Sequence, residues 1–409
     1  MTHVVTCFLR HRTAILLGRR SDAVGTYTGR WAGISGYVEG DPADAERDAR
    51  REIREETGRD DATLVRAGDP VEIQDSDREW TVHPFLFETE DREVTPNEEI
   101  AAHKWVSPPA IRDRETVPGL WDAYAAVGPT VETVAGDRTH GSAWLSVRAL
   151  EVLRDRAAVA DDDAAVATVA RDLRDARPSM AAVANRVNRV MREAERTVVA
   201  IRDRAAEAVE AALDADAEAA ARAAERCGES VATLSRSGTV RATLERARPS
   251  VLIGESRPAR EGTEVADALA VAGLDVTLTT DAALPSELAA RTPDAVLVGA
   301  DAVLADGSVV NKVGTRSLAL AAARAGVPVY VAAAADTVRP DERFHGEDGD
   351  ATDLYDGAAP VSVANPIFDR TPADLVTGVV TERGVLDGEG VRSVAAEHEA
   401  NAKWDERRD

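Results

Sequence analysis

The chain has 409 residues, more than one hydrophobic core usually serves, so two or three domains are expected. Its net charge of −24 disfavours a phosphate-backbone partner, since nucleic-acid binders present basic faces, and no nucleic-acid partner is expected. Only three lysines (Lys104, Lys312, Lys403) stand among 49 basic residues, and this acidic, Ala/Val-rich balance suits a protein that stays soluble in concentrated salt.

Cys7 and Cys227 are the only cysteines, too few for a disulfide framework or a zinc cage. The N-terminal MTHVVTCFLRHR lacks the charged n-region and apolar core of a signal peptide. The longest apolar run, VPVYVAAAA from Val327 to Ala335, suits a buried strand and is too short to span a membrane. A cytoplasmic protein without a membrane partner is the expectation.

In chain order, VVTCFL (Val4 to Leu9) and AILLGRR (Ala14 to Arg20) have strand composition, and the Gly-rich GRWAGISGYVEGD follows. Next comes REIREETG, Arg51 to Gly58. On a helix Glu52 and Glu56 are neighbours at i,i+4, and Glu55 lies beside Glu52 at i,i+3. Carboxylates this close repel unless a cation sits between them, and converging hard oxygens suit Mg²⁺ or Mn²⁺. Acidic helices with interleaved Arg also occur as plain solvated faces. Here, however, further strand-like segments follow: VHPFLFETE (Val82 to Glu90) and HKWVSPPAI (His103 to Ile111).

The order strand, strand, Gly loop, Glu helix, strand resembles the Nudix hydrolases, whose signature is a Gly, five residues, a Glu, seven residues and REUxEExGU, with U aliphatic. The REUxEExG part is intact here. Arg59 replaces the last aliphatic, and Ala43 stands where the upstream Glu belongs, leaving Glu39, Asp41, Asp44 and Glu46 as candidate substitutes. The resemblance implies a mixed-sheet α/β/α sandwich over 1–126 that cleaves a nucleoside diphosphate linked to another group. Glu52, Glu55 and Glu56 would hold the metal, Arg51 would orient a glutamate, and Glu99 (or Glu98) would add a base or ligand.

A linker is expected over 127–141, with Gly128, Pro129 and Gly136. From 142 to 226 the chain turns Ala-, Arg- and acid-rich with apolar residues at helical spacing, implying three or four helices. From 227 to 395 continuous apolar segments (SVLIGES, LDVTLTT, AVLVGADAV, VPVYVAA) alternate with Ala-rich helices. That pattern predicts a Rossmann-like, doubly wound parallel sheet, covered on both faces and binding ligands beyond its carboxyl ends. A charged tail is expected over 396–409.

The polar strand ends GESRPAREG (Gly254 to Gly262) and GADAVLADGSVVNKVGT (Gly299 to Thr315), with ARPSM (Ala176 to Met180) and NPIFDRTP (Asn365 to Pro372), resemble the initiation factor 2B alpha/beta/delta family. That family includes ribose-1,5-bisphosphate and methylthioribose-1-phosphate isomerases. The resemblance implies that Arg257 and Arg260 meet a phosphate, that Lys312 adds a point charge, that Asn311 bonds the sugar, and that Asp301 is the acid/base. It also implies a homodimer through this domain; the overall composition is of a halophilic, archaeal type.

The isomerases' Thr-His-Cys-Asn-Ser loop corresponds to TLSRSGTV (Thr233 to Val240), with Leu234 and Ser235 in place of His and Cys. A hydroxyl cannot replace a thiolate without a base. The expectation is therefore a metal-dependent Nudix-type hydrolase fused to a domain that binds a small nucleotide or sugar phosphate. A non-catalytic regulator and a ribose-1,5-bisphosphate isomerase are the alternatives. RFHGEDGDATDLYDG (Arg343 to Gly357) reads as an acidic loop to which no role is assigned.

Overall fold

A computed structural model describes residues 2–75 and 78–406, which divide into two compact units, Met1–Thr130 and Val131–Asp409. The first is built on one mixed sheet. Its strands are β1 (Thr2–His11), β2 (Ala14–Arg20), β3 (Trp31–Ala32), β4 (Ile34–Tyr37), β5 (Thr63–Ala67), β6 (Val71–Asp75), β7 (Arg78–Glu88) and β8 (Ile100–Val106). β1 is central, parallel to β7 and antiparallel to β2 and β4.

Side chains of a strand alternate between faces, and here both faces are covered. Val5, Cys7 and Leu9 pack with Ala45, Ala49 and Ile53 of helix α1 (Ala45–Thr57) on one side. Phe8, Ile15 and Leu17 pack with Leu120, Ala123 and Tyr124 of α2 (Leu120–Val127) on the other. This double covering is why VVTCFL is almost continuously apolar. Asp41 accepts the Ala43 N–H and caps the single turn Pro42–Asp44 that leads into α1. The helix stops at Gly58, whose φ of 71° lies in the left-handed region that a Cβ disfavours.

The second unit opens with five helices: α3 (Val131–Gly136), α4 (Ser142–Ala157), α5 (Asp163–Ala176), α6 (Ala181–Glu193) and α7 (Val198–Ala224). Their apolar stripes share one core around Leu145, Leu150, Val183 and Ile201. The stretch expected as a linker thus carries a helix, because Val131 and Val134 find a place in that core.

The sheet that follows comprises β9 (Ser230–Thr233), β10 (Ser250–Gly254), β11 (Val276–Thr279), β12 (Ala295–Val298), β15 (Val329–Ala332), β17 (Gly378–Thr381) and β18 (Gly384–Leu386), in the order β11-β10-β9-β12-β15-β17-β18. All its pairings are parallel except β17 with β18. Between these strands run α8 (Gly238–Ala247), α9 (Glu261–Val271), α10 (Leu284–Arg291) and α11 (Thr315–Ala325). A small antiparallel sheet joins β13 (Ala302–Val303), β14 (Val309–Lys312) and β16 (Phe368–Thr371).

Chain order steps outward from β9 to β10 and β11, then returns to the other side of β9 with β12. The carboxyl ends of β9 and β12 therefore flank the crevice where the winding reverses, the place such sheets offer a ligand. The final helix, α12 (Gly388–Ala402), runs through the first half of the stretch expected as a charged tail. Trp404 is then buried, its indole N–H donating to Asn188 Oδ1 at 2.8 Å. The tail's last three residues, 407–409, lie outside the described residues. Among the described residues no helix is long and apolar enough to cross a membrane.

Ile53 is 2% exposed and anchors α1 to the sheet. Ile53→Ala is expected to destabilise the N-terminal unit by about 2–5 kcal/mol in denaturant unfolding, and a loss below about 1 kcal/mol would contradict this packing.

Candidate functional site

In the first unit the Gly-rich loop lies on the exposed edge of α1. Arg51 fastens it, reaching Glu39 at 2.8 Å, Asp48 at 3.3 Å and Glu52 at 2.7 Å, and donating to the Tyr37 carbonyl at 3.1 Å. Of the four upstream carboxylates left open by the sequence, Glu39 reaches Arg51. Asp41 caps its turn, Glu46 pairs with Arg50 at 2.8 Å, and Asp44 makes no side-chain cap bond. Asp48, which sequence reasoning missed, is 2% exposed and accepts the Glu39 N–H at 3.0 Å. The Glu52 carboxylate packs directly against Gly36 of β4, so a Cβ there would push that carboxylate from its present position.

Glu56 is the most perturbed acid of the cluster. It is buried, and the Ser35 N–H donates to its Oε1 at 3.2 Å. Burial, reinforced by the charges of Glu52 and Glu99, pushes its carboxyl up to about 8 against the pull of the Ser35 N–H and Arg20. Burial also raises Glu52, with Glu55 and Glu99 adding to the shift and the Arg51 hydrogen bond opposing it.

Glu39, Glu52, Glu55 and Glu99 line a cavity of about 630 Å³ that also presents Tyr27, Tyr37 and Trp80, while Glu56 sits beneath the lining. Among the described residues no three His, Cys, Asp or Glu side chains converge as a ready-made cation cage. The donor chemistry nevertheless fits a divalent cation: hard carboxylate oxygens whose proton affinity is raised by burial and, after it, by their mutual repulsion. Arg59, where the signature has an aliphatic, is buried and pairs with Asp61 at 2.7 Å and Asp91 at 2.5 Å, so an ionic clamp takes over an apolar contact.

In the second unit, the ends of β9 and β12 with β14 enclose a smaller cavity of about 150 Å³. Ser235, Asp301, Asn311 and Lys312 all line it. Asp301 is buried, and burial pushes its carboxyl up to about 7, with Glu347 and Glu261 adding and Lys312 and Arg177 opposing. Lys312 Nζ meets Glu261 Oε1 at 2.5 Å, and Ser235 Oγ donates to the same oxygen at 3.4 Å. Ser235 has a φ of 70°, and its N–H donates to Ser256 Oγ at 2.7 Å. Asn311 Nδ2 donates to Thr315 Oγ1 at 3.0 Å.

Arg257 and Arg260 stand outside this lining. Arg257 donates to the Asp353 carbonyl at 3.3 Å, Arg260 pairs with Glu255 at 3.3 Å, and both are exposed. The cations at the cavity, besides Lys312, are Arg138, Arg177, Arg186 and Arg236. Arg177 belongs to the ARPSM segment and pairs with Glu347 of the acidic loop at 3.3 Å. Glu261 closes the GESRPAREG segment. Both motifs drew notice in the sequence, but nothing in it showed which of their side chains face inward. Cys227 is buried in the core and has no part in the cavity.

The fold and these strand-end loops define an α/β protein with two ligand-sized sites on separate units. The model of the Initiation factor 2 subunit family matches residues 138–388, and that of the NUDIX domain matches residues 1–127. The chain belongs to the Initiation factor 2 subunit family and carries an N-terminal NUDIX domain.

A probable bifunctional methylthioribose-1-phosphate isomerase/methylthioribulose-1-phosphate dehydratase of Nocardia farcinica is 43% identical over 172 residues, 39% of this chain and 30% of that protein. The methylthioribose-1-phosphate isomerase of Syntrophotalea carbinolica is 39% identical over 170 residues, 39% of this chain and 49% of that protein. The chain thus spans between about a third and a half of the length of these curated relatives. Among solved structures, the translation initiation factor eIF-2B of Pyrococcus horikoshii OT3 shares 28% identity at a TM-score of 0.56, covering 63% of this chain and 94% of that one. The 5-methylthioribose 1-phosphate isomerase of the same organism, at 21% identity and a TM-score of 0.53, covers 66% of this chain and 86% of that one and shares the fold. The expectation that loss of the thiol leaves only a binding domain finds no support in these relatives.

A carboxyl whose folded pKa lies above its unfolded value favours folding while protonated, so Glu56 contributes stability that is lost as pH rises from about 4.5 to about 8. In chelator-treated protein the unfolding midpoint is expected to fall across that window. Glu56→Gln should shrink the slope and raise the midpoint at the alkaline end. An unchanged slope would contradict a buried, protonated Glu56.

Proposed function

We propose that the NUDIX unit is a metal-dependent hydrolase of a nucleoside diphosphate joined to a second group, with Mg²⁺ or Mn²⁺ as its ion. The observation that carries this reading is the crowding of Glu52, Glu55 and Glu99 on one cavity edge, with Glu56 buried beneath it and held near 8. Glu52, Glu55 and Glu56 would hold the ion, which when bound neutralises diphosphate charge and makes a coordinated water more acidic.

The chain's own residues do the rest. Arg51 locks Glu52 and Glu39 together, so the loop and helix keep one geometry. Glu99, exposed at the cavity edge, is placed to take a proton from the attacking water at its carboxylate. Tyr37 and Trp80, 6.3 Å apart between ring centres, offer a nucleobase a stacking wall.

The second unit, on this reading, holds a sugar phosphate or nucleotide. Lys312 with Arg177 and Arg236 faces the phosphate, Asn311 bonds the sugar and Asp301 exchanges a proton with it. Arg257 and Arg260, exposed and outside the lining, have no place in this contact set. A hydrolase acting on an ADP-sugar would release a ribose phosphate, the ligand class its neighbour would accept. Pairing of two copies through the second unit belongs to the same proposal.

Incubation with ADP-ribose, NADH and nucleoside triphosphates plus Mg²⁺ tests the hydrolase. Glu55→Gln and Glu56→Gln are each expected to lower kcat on the best substrate by on the order of 10²-fold. Turnover that survives both substitutions would remove this mechanism.

A further inference from the structure

The unsettled position in the second unit is the base, since Ser235 stands where the isomerases carry a thiol. Three features converge on a neighbour of that serine. Glu261, first residue of α9, is 7% exposed yet lines the cavity. Its Oε1 takes both Lys312 and Ser235, while its Oε2 is buried with no hydrogen-bond partner among the described residues. A buried carboxylate oxygen left unpartnered costs free energy that a ligand's donor group recovers. Asp301 lines the same cavity, close enough for the two charges to oppose each other.

We infer that Glu261 is the catalytic base, working with Asp301 as the acid, in a 1,2-proton shift that converts a cyclic aldose 1-phosphate into a ketose 1-phosphate. This rests on the reading that the cavity holds a phosphosugar. The steps balance without any external oxidant or reductant. Asp301 gives its proton to the ring oxygen as the C1–O4 bond breaks. Glu261 takes the proton from C2, and the C–H electron pair becomes the C1=C2 bond of an enol phosphate. The enol O2–H then returns a proton to the Asp301 carboxylate as C2=O forms, and Glu261 delivers its proton to C1. Both residues end as they began.

Lys312 supplies the counter-charge to Glu261 throughout. Ser235, donating to Glu261, orients the carboxylate without itself losing a proton. A glutamate in the first turn of a helix also complements the helix dipole, and a purely structural Glu261–Lys312 pair is the competing explanation. That pair would affect folding but not separate binding from turnover.

The full chain is tested with ribose 1,5-bisphosphate labelled with carbon-13 at C2, using calorimetry for binding and NMR for ketone formation. Wild type is expected to bind and to form the ketone. Glu261→Gln should bind within about threefold of wild type and lose about 10³-fold in ketone formation, while Ser235→Ala stays within about tenfold. Should the Gln variant fail to fold, Glu261→Asp is read instead, with kcat expected to fall and KM to hold; an unchanged kcat would overturn the inference.

Ketone formation by Glu261→Gln close to the wild-type rate, or an equal loss in Ser235→Ala, would also overturn it. Wild type that binds without forming ketone would overturn the base assignment and leave the phosphosugar reading standing. Wild type that does not bind would remove both.

Discussion

A carboxyl group taken out of water and kept among other carboxyls governs both halves of this chain. Charging an acid in a poorly solvated site is expensive, and neighbouring acids add to the cost. Glu56 under the Gly loop and Asp301 behind the β12 end both meet this condition, and both shift to near neutrality. A protein under selection for stability alone would replace such groups with apolar ones. Keeping them is what a site does when it must hold a cation or pass a proton.

The two units reach this condition by different architectures. In the NUDIX unit a helix stacks its acids at i,i+3 and i,i+4 spacing, and a glycine loop is pressed against them. The Glu52 carboxylate packs directly against Gly36, and Arg51 ties the assembly with three carboxylates. In the second unit the topological reversal between β9 and β12 opens a crevice that loops then fill with polar groups. There too, close backbone approach matters: a Cβ at Gly299 would come within 2.7 Å of Ser237. Rigid strands thus aim short loops, and the loops carry the chemistry.

The elements were largely legible in the sequence because their hydrophobic patterns are strong. The continuous runs SVLIG and AVLV predict strands buried on both faces, and Val251 and Leu252 do pack into separate cores. REIREETG declared its helix and its acids. Side-chain direction was not legible. Arg257 and Arg260 share a motif with Glu261, yet only Glu261 faces the cavity, because Glu255 and the Asp353 carbonyl draw the arginines outward. Asp48 escaped notice because its meaning depends on Arg51 one turn later and on the Glu39 backbone. The helix at 131–136 and the burial of Trp404 were hidden for a similar reason: short segments gain their structure from distant partners such as Asn188.

The most direct test of the central claim is to count protons released when the full chain binds Mg²⁺, by calorimetry in buffers of different ionisation enthalpy. If Glu56 is protonated until a cation arrives, binding at about pH 7 releases a large fraction of a proton per ion, and the release fades above about pH 9. The same titration of Glu56→Gln should release far less. Binding without proton release at about pH 7, or equal release by the variant, would contradict the account.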